Sequence, residues 1–594
     1  MSFREQESVK GYHWSIREYS EDLALEIYQR KQITPTVSKL LAVRGIGLDE
    51  VDNYLDPRIK NSLKDPYHLI DMARAVEAIY GAIVSHKKIC VFGDYDVDGT
   101  AATALVTIFF RNIGVEVTTY IPDRSEDGYG LSEQAIDKLK QQGIEFIITV
   151  DCGISCFEAV EFANKIGIDI VITDHHISPV VLPNAKALVN PNRFDEKSEY
   201  KYLAGVGVAF MVCIALNTHL RNNEYYSKNN LKEQNLLYFL DLVALGTICD
   251  VMPLVNINRA FVRQGLEIFK KRTNLGLSVL ADMIGLDEAI STYHLGYIIG
   301  PRINASGRIG NASVSNRLLS CRDRAEAKIL VEQLNNFNLE RQNIEKIILD
   351  EAVEQVKNNG FSDSNVIFVE GTNWHDGVIG IVASRVKDRY NKPVFVISKD
   401  GEFGKASCRS VDKSVDVGSI IIRARENGLL ITGGGHAMAG GFTFRVEKLS
   451  QIKNFIENSM REKLDLYLGQ SERCADLTME IDSINKQLVL DIECIGPFGS
   501  GNQRPIIILE NVVILSAKKF GKNGDHIRCV VASNNIMKNK GTIIANFFRT
   551  NDDKIASLLF NRKKLICDLV GDISLNKWKN SESVQFCVKD VILR

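Results

Sequence analysis

The chain has 594 residues, of which 45% are hydrophobic and 25% are charged, and its net charge at pH 7 is −2. This length predicts three or four domains of an ordinary soluble protein, and the near-balanced charge gives no sign of a uniformly basic nucleic-acid-binding surface. The charged amino terminus lacks a secretory apolar segment, and the longest apolar run is too short to span a bilayer, so we expect no membrane partners. The twelve cysteines form no CxxC pair, so we expect neither zinc sites nor disulfides. Together these features predict a cytoplasmic protein.

The first 65 residues are predicted to form a helical lead-in. Pro35 begins one helix, in TPTVSKLLAVRG, and the glycines at 45 and 47 end it. A second helix, in DEVDNYLDP, ends at Pro57.

Residues 66–260 alternate between strand-like and helix-like patterns. The apolar runs of strand length are KICVFGD, VEVTTYIPD, FIITVD, DIVITDHH, KALVNP and DLVALGTICD. Helical patterns such as SEQAIDKLKQQG and CFEAVEFANKIG separate several of them. Strands that are apolar throughout, alternating with helices, predict an α/β domain with a parallel sheet covered on both faces.

Carboxylates and histidines gather where these runs end. Alternate positions of an extended segment share one side, which would put the three carboxylates of DYDVD together. The residues at or next to the run ends are Asp94, Asp96, Asp98, Asp151, Asp174, His175, His176 and Asp250. Each one alone is compatible with a solvated turn, but together they would repel one another strongly without cations. They predict two divalent ions, Mg²⁺ or Mn²⁺, which suit hydrolysis at phosphorus.

The remaining chain predicts three further regions. Residues 261–355 are helical, and residues 311–359 contain neither glycine nor proline, so we expect one long linking helix. Residues 356–469 form a second α/β pattern with a glycine-rich turn, ITGGGHAMAGGFTF, whose backbone could approach a phosphate or could be structural. Residues 470–594 show at least five short strands, and from Asn511 onward 15 Lys or Arg stand against 7 Asp or Glu, which predicts a β-barrel or sandwich that grips a polyanion.

Several motifs resemble those of the DHH phosphoesterase superfamily. GDYDVDGTAAT, TVDCGIS, VITDHH and GTICDVMPL resemble its four successive motifs. Within it, the chain resembles the RecJ family of single-strand-specific 5′→3′ exonucleases, since GPRINASGRIGNA, GGGHAMAGGF and IGPFGSGNQRP also follow in order. The resemblance implies an α/β fold with a DHH domain on a parallel sheet, a long linking helix, a second α/β DHHA1 domain and a carboxyl-terminal OB-fold barrel.

The resemblance also implies roles for individual residues. The metal ligands would be Asp94, Asp96, Asp98, Asp151, His175 and Asp250; which of Asp94 and Asp96 binds directly stays open. Asp151 would bridge the ions and would form the catalytic group with Asp174, His175 and His176. The substrate-binding residues would be Arg302, Asn304 and Arg308 at phosphates, Arg124, Tyr129, Ser407, Arg409 and Ser410 at the 5′ end, and His436. Cys408 stands where glycine is common in the family.

The implied activity is Mn²⁺- or Mg²⁺-dependent digestion of single-stranded DNA from the 5′ end, releasing 5′-mononucleotides in recombination and repair. The implied partners of this monomeric enzyme are a single-strand-binding protein and a helicase. One alternative is a phosphodiesterase acting on short oligonucleotides, which would not need the basic β-rich module. Another is a non-catalytic single-strand clamp, against which the complete ligand set argues.

Overall fold

The computed structural model describes residues 7–122, 130–286, 290–358, 364–468, 472–521, 524–534, 541–548, 553–561, 565–578 and 581–594. The chain forms two compact units, one of residues 57–344 and 497–503 and one of residues 1–56, 345–496 and 504–594. The finer five-part division stays a prediction. Across the described ranges, no helix is long and apolar enough to cross a membrane.

The amino-terminal region contains the predicted helices. Its elements are β1 (His13–Ile16), α1 (Glu21–Lys31), α2 (Pro35–Val43) and α3 (Val51–Leu55). Thr34 caps α2 by accepting a hydrogen bond from the amide of Val37, and Pro35 occupies the first turn, where its missing N–H costs nothing.

A parallel sheet organises the unit of residues 57–344. Its elements run α4 (Ile59–Ser62), α5 (Met72–Val84), β2 (Ile89–Gly93), α6 (Val97–Asn112), β3 (Val117–Tyr120), α7 (Glu133–Gln141), β4 (Phe146–Val150), α8 (Phe157–Lys165), β5 (Asp169–Thr173) and β6 (Ala187–Val189). The strand order is β3-β2-β4-β5-β6, and every pairing is parallel. Two hydrophobic cores flank the sheet. Val91 of β2 packs in one of them with Phe110 of α6, and the next residue, Phe92, packs in the other with Leu139 of α7. The predicted sheet, covered on both faces, is confirmed.

Helices complete this unit. They are α9 (Gly205–Asn222), α10 (Tyr225–Lys228), α11 (Leu240–Cys249), α12 (Asn256–Lys270), α13 (Leu275–Met283), a π-helical segment (His294–Ile299), α14 (Gly300–Ile309), α15 (Ser313–Ser320) and the first part of α16 (Arg324–Asn358), whose residues from 345 onward belong to the other unit. The predicted strand in DLVALGTICD is wrong, because this run is helix α11. Every residue from Leu240 to Thr247 is buried, and a run that is apolar on all sides carries no period that separates a helix from a buried strand. The long glycine-free helix is confirmed as α16, which has 35 residues.

The second α/β region has a mixed sheet. Its elements are β7 (Ile367–Thr372), α17 (Asp376–Tyr390), β8 (Val394–Asp400), β9 (Phe403–Arg409), α18 (Val417–Glu426), β10 (Thr432–His436), β11 (Ala439–Arg445) and α19 (Leu449–Leu468), with strand order β10-β11-β9-β8-β7. The predicted turn lies at residues 437–438, and the glycines on either side of it belong to the hairpin strands β10 and β11. A Cβ on Gly435 would lie 2.4 Å from the carbonyl oxygen of Ala439, so the glycines let the two strands approach.

The last region closes into a barrel. Its elements are β12 (Glu472–Ala475), which pairs with β1, then β13 (Leu477–Met479), α20 (Lys486–Glu493), β14 (Ile507–Phe520), β15 (His526–Ser533), β16 (Thr542–Phe547), α21 (Asp553–Asn561), β17 (Leu565–Trp578) and β18 (Ser581–Leu593). The order β14-β15-β16-β18-β17, with a further β14–β17 pairing, makes a closed five-stranded barrel. This confirms the predicted OB-type module.

Candidate metal centre

The loop after β2 presents three carboxylates, but not by strand alternation. Asp94 follows the strand and is buried. Asp96 is the N-cap of α6, and its Oδ1 accepts hydrogen bonds from the amides of Asp98 (2.8 Å) and Gly99 (3.0 Å). Asp98 lies in the first turn of α6. The predicted extended DYDVD segment is therefore wrong, and the sharp turn into α6 brings its carboxylates together.

Asp98 is fixed by the start of a second helix. Its Oδ2 accepts a hydrogen bond from the amide of Gly205 (2.6 Å), and its Oδ1 accepts one from Val206 (3.0 Å). These are the first two amides of α9, which have no partner within their own helix. The positive end of the α9 dipole stabilises this buried carboxylate.

Three carboxylates surround the imidazole of His175. Its Nε2 lies 3.1 Å from Asp151 Oδ1, 3.6 Å from Asp250 Oδ2 and 3.9 Å from Asp98 Oδ2. Asp151 follows β4 with a φ of 63°, a left-handed conformation that Asp and Asn adopt more readily than most residues. Asp250 ends α11 as its C-cap. The ligands predicted from distant segments thus meet at one edge of the sheet.

Both carboxylate oxygens of Asp174 accept hydrogen bonds from neighbouring residues of the chain. Its Oδ1 accepts hydrogen bonds from the amides of His175 (2.7 Å) and His176 (3.1 Å) and lies 2.8 Å from Nδ1 of His176. Its Oδ2 accepts a bond from the amide of Ile154 (2.9 Å). This geometry makes Asp174 a positioning residue for the His176 ring.

Two asparagines that the sequence reasoning missed hold the backbone of the histidine pair. Asn190 Nδ2 donates to the carbonyl oxygen of His176 (2.9 Å), and Asn192 Nδ2 donates to that of His175 (2.5 Å). Asn190 Oδ1 in turn accepts a bond from the amide of Asn192 (2.7 Å). The run KALVNPN reads as the end of a strand, and its sequence carries no signal for this role.

Burial and crowding change the acidity of the cluster. Burial, with repulsion from Asp96, raises the pKa of Asp94 to about 8 and that of Asp98 to about 7. Burial, with repulsion from Asp98, raises the pKa of Asp250 to about 8, and burial raises that of Asp151 well above its ordinary value. Burial opposes charge on His176, but its hydrogen bond to Asp174 outweighs this and raises its pKa to about 9. Such a crowd of carboxylates is stabilised by bound cations.

The donor set fits divalent ions. Among the residues that the structure describes, Asp94 Oδ1, Asp151 Oδ1 and Asp250 Oδ2 are buried and accept no hydrogen bond of good geometry, which is costly unless a cation binds them. The possible ligand atoms fall into three overlapping groups whose atoms lie within 4.8 Å of one another: Asp94 with Asp96 and Asp151, Asp98 with His175 and Asp250, and Asp151 with His175 and His176. Asp151 belongs both to the group with Asp94 and Asp96 and to the group with His175 and His176, as expected of a bridging carboxylate. Carboxylate-rich sites with one or two imidazoles suit Mn²⁺ or Mg²⁺.

Glycines that the sequence reasoning missed give the ligands their space. A Cβ on Gly205 would lie 2.5 Å from Asp151 Oδ1, and a Cβ on Gly246 would lie 2.5 Å from Asp98 Oδ1. Gly205 is the first residue of α9, whereas Gly246 stands inside α11, where glycine weakens a helix. Because the run around Gly246 was predicted as a strand, its sequence carries no clear signal of this close approach.

The PRINASGR motif lies on α14 in the same unit. A Cβ on Gly307 would lie 2.6 Å from the carbonyl oxygen of Tyr95, so α14 packs directly against the Asp94–Asp98 loop. Arg302 Nε donates to Asn335 Oδ1 (2.9 Å), and its Nη1 donates to the carbonyl oxygen of Ile298 (2.6 Å). Asn304 and Arg308 are half-buried on the same helix. Arg124 and Tyr129 lie outside the described residues.

The other predicted substrate-binding residues form a separate group in the second unit. Arg409 pairs with Ala439, which pairs with His436, so these residues form one row across β9, β11 and β10. Arg409 Nε donates to Ser384 Oγ (3.1 Å), and its Nη1 lies 3.4 Å from Ser407 Oγ. Ser410 is buried, and its hydroxyl donates to the carbonyl oxygen of Val415 (2.7 Å), so it is already engaged within the chain.

The barrel carries one cationic and aromatic face. Lys518 pairs with Arg528 and Phe520 with His526, so these four side chains share a side of β14 and β15. The Arg528 guanidinium lies 4.7 Å from the Phe520 ring centroid, and the rings of Phe520, His526 and Phe548 contact one another. We call these five residues the barrel face.

Three protein families match successive parts of the chain. The DHH family, N-terminal domain, matches residues 88–247, the DHHA1 domain matches residues 363–462, and the RecJ OB domain matches residues 475–590. The single-stranded-DNA-specific exonuclease RecJ of Bacillus subtilis is 31% identical over 97% of this chain and 70% of its own length. That of Escherichia coli is 34% identical over 80% of this chain and 83% of its own length.

Solved structures of RecJ proteins are also similar to this chain. RecJ from Thermus thermophilus in complex with Mn²⁺ has a TM-score of 0.77 and 26% identity, covering 97% of this chain and 79% of that protein. Exonuclease RecJ bound to manganese has a TM-score of 0.55 and 31% identity, covering 66% of this chain and 95% of that protein.

Proposed function

Because the chain belongs to the RecJ family of single-stranded-DNA-specific exonucleases, we propose that the cluster at its sheet edge hydrolyses single-stranded DNA from the 5′ end and releases 5′-mononucleotides. The enzyme is a metal-dependent exodeoxyribonuclease that acts in recombination and repair. Its cofactor is Mn²⁺ or Mg²⁺, the ions held by RecJ of Thermus thermophilus. The observation that carries the proposal is the meeting of Asp98, Asp151 and Asp250 around Nε2 of His175.

The chain's own residues would prepare the reaction by position and charge. Asp94, Asp96, Asp98, Asp151, His175 and Asp250 would hold two divalent ions. Ions in such a site polarise the scissile phosphate and acidify the attacking water. Asp151 would bridge both positions, and the α9 amides would keep Asp98 from turning away. His176, oriented by Asp174, would donate a hydrogen bond to the phosphate or to the leaving oxygen.

Other groups of the chain would bind the DNA strand. Arg302, Asn304 and Arg308 on α14 would contact phosphates, since α14 packs against the ligand loop. We propose that Arg124, Tyr129, Ser407, Arg409 and His436 read the 5′ end. Ser410 would support this group through the β9 backbone, because its hydroxyl is engaged with Val415. The barrel face would stack and neutralise the strand further along.

The alternatives predict different substrates. A phosphodiesterase for short oligonucleotides would not need the barrel face, and a non-catalytic clamp would not need to keep unsatisfied carboxylates such as Asp94 and Asp151 buried. We further propose that the enzyme works as a cytoplasmic monomer beside a single-strand-binding protein and a helicase.

Digestion of end-labelled DNA tests the proposal directly. Single strands and blunt duplexes of one sequence, labelled at either end, would be incubated with Mn²⁺, Mg²⁺ or EDTA. We expect the 5′ label to be released first as a mononucleotide, only from single strands and only with metal. Internal cleavage, release from the 3′ end, or activity confined to dinucleotides would contradict the proposal.

The barrel face should set the salt dependence of DNA binding. Replacing Lys518 and Arg528 by alanine together should lower the slope of log affinity against log salt by about 1 to 1.5, because each phosphate contact on a single strand contributes about 0.7. Fluorescence anisotropy with a long labelled strand in EDTA measures this slope. Lys589→Ala is the matched control, since Lys589 lies in the same barrel but pairs with Asp572 at 3.2 Å. Equal slopes for the double variant and the control would exclude phosphate contacts at the barrel face.

A further inference from the structure

Two tyrosines form an exposed stack in the unit that holds the metal centre. Tyr293 and Tyr297 lie one helical turn apart, with ring centroids separated by 5.3 Å and planes inclined by 26°. Their exposed fractions are 60% and 73%. Aromatic rings are usually among the more buried side chains, so a stacked and exposed pair offers an open apolar surface.

The backbone beneath this pair is held firmly. His294–Ile299 is a π-helical segment, a rare form often found at functional sites. Leu295 and Ile299 are buried in the core of the unit. Thr292 Oγ1 donates a hydrogen bond to the carbonyl oxygen of Phe498 (2.8 Å). The backbone that carries the two rings is therefore anchored to the core of the unit and does not belong to a loose loop.

The same segment packs against the last residues of α11, the helix that ends at the proposed metal ligand Asp250. A Cβ on Gly296 would lie 3.3 Å from Ile248 Cγ2, and a Cβ on Gly300 would lie 2.5 Å from Cys249 Sγ. Ile248 and Cys249 immediately precede Asp250. The position of the tyrosine pair is thereby tied to the end of α11.

Helix α14 also connects the segment to the loop that holds Asp94, Asp96 and Asp98. The segment continues without a break into α14, and Gly307 of that helix packs on Tyr95, between Asp94 and Asp96. The helix rises about 15 Å between Tyr297 and Gly307. A short stretch of extended single strand can span that distance.

We propose that Tyr293 and Tyr297 form a base-stacking platform for single-stranded DNA in the unit that holds the metal centre. This deepens the proposed nuclease function and rests on it. Every base has a π-face, so such a platform binds a strand without reading its sequence. Duplex bases are already stacked on one another and offer no free face, so the platform favours single strands.

Abasic DNA separates stacking from a structural effect. A set of single strands, each with one abasic site at a different distance from the 5′ end, would be digested in single-turnover and steady-state assays with Mn²⁺. The variants would be Tyr293→Ala/Tyr297→Ala and Tyr293→Phe/Tyr297→Phe. The control would be Tyr238→Ala, an exposed tyrosine of the same unit outside the stack.

For the wild-type enzyme, we expect KM to rise about ten-fold when the abasic site falls in one short window. The Tyr293→Ala/Tyr297→Ala variant should have a KM raised by a similar factor on intact DNA, with kcat little changed. Its KM should no longer depend on the position of the abasic site. The phenylalanine pair should keep the window, because the rings remain.

Three results would overturn the platform. They are an alanine pair with an unchanged KM, an alanine pair that keeps the window, and a Tyr238→Ala variant with the same loss. A wild-type enzyme that does not digest single strands at all would instead contradict the proposed function. Failure of the platform and failure of the nuclease assignment are thus distinguishable.

Discussion

Asp151→Asn should lower the rate of DNA hydrolysis by at least about 1,000-fold, a loss of about 4 kcal/mol of transition-state stabilisation. Asp151 occurs in two of the three possible ligand groups, so loss of its charge affects both ends of the cluster. Asparagine tolerates the left-handed φ of 63° at this position, whereas alanine would add backbone strain. Single-turnover digestion of a 5′-labelled strand with saturating Mn²⁺ measures the effect.

The same variant should separate function from stability. Burial, with repulsion from the neighbouring carboxylates, raises the pKa of Asp151, so its charged form is unfavourable in the metal-free protein and a neutral amide avoids that cost. The melting temperature without metal should stay equal or rise, as is common when a functional charge is removed. Mn²⁺ should raise the melting temperature of the wild-type protein by mass action and should raise that of Asp151→Asn much less.

Asp169→Asn is the matched control for this experiment. Asp169 begins β5, at the sheet edge opposite the metal centre, and pairs with Lys87 at 2.7 Å and Lys186 at 3.1 Å. Partly exposed pairs contribute at most about 1 kcal/mol, so activity and the Mn²⁺-dependent shift should be preserved. An Asp151→Asn enzyme within about ten-fold of the wild-type rate, a deficit of only about 1.4 kcal/mol, would refute the bridging role.

The parts of the site that follow strands could be predicted from the sequence because their signals are local. Apolar runs such as Phe146–Val150 predict buried parallel strands, and the carboxyl ends of such strands share one edge. The sequence alone therefore predicts that Asp94, Asp151 and the Asp174–His176 triplet lie together. The roles of the individual residues came from the family resemblance.

The errors arose where a local pattern has two physical solutions. The run before Asp250 is apolar on all sides, so a buried helix and a buried strand fit it equally. In DYDVD, alternation suggested an extended segment, yet Asp96 caps α6 and thereby ends the strand. The tight ITGGGHAMAGGFTF hairpin likewise depends on approach between two strands, which composition alone does not encode.

Gly205→Ala should lower metal affinity and reduce kcat/KM by about 100-fold, although no proposed ligand is changed. The new Cβ would lie 2.5 Å from both Cβ and Oδ1 of Asp151. Gly205 also donates its amide to Asp98 Oδ2 at 2.6 Å. Any movement that relieves the collision must shift Asp151 or withdraw the amide that holds Asp98, and displacements near 1 Å are enough to cost two orders of magnitude.

Two further glycines make this prediction specific. Gly246→Ala should behave like Gly205→Ala, because its Cβ would lie 2.5 Å from Asp98 Oδ1. Gly81→Ala is the control, since nothing lies within 4 Å of its Cβ position on α5, and it should stabilise the protein by about 0.5–1 kcal/mol with unchanged activity. Mn²⁺ titrations of activity and of the melting temperature compare the three variants. If Gly205→Ala bound Mn²⁺ as tightly as Gly81→Ala, the close approach of α9 to the ligands would not set the geometry of the metal centre.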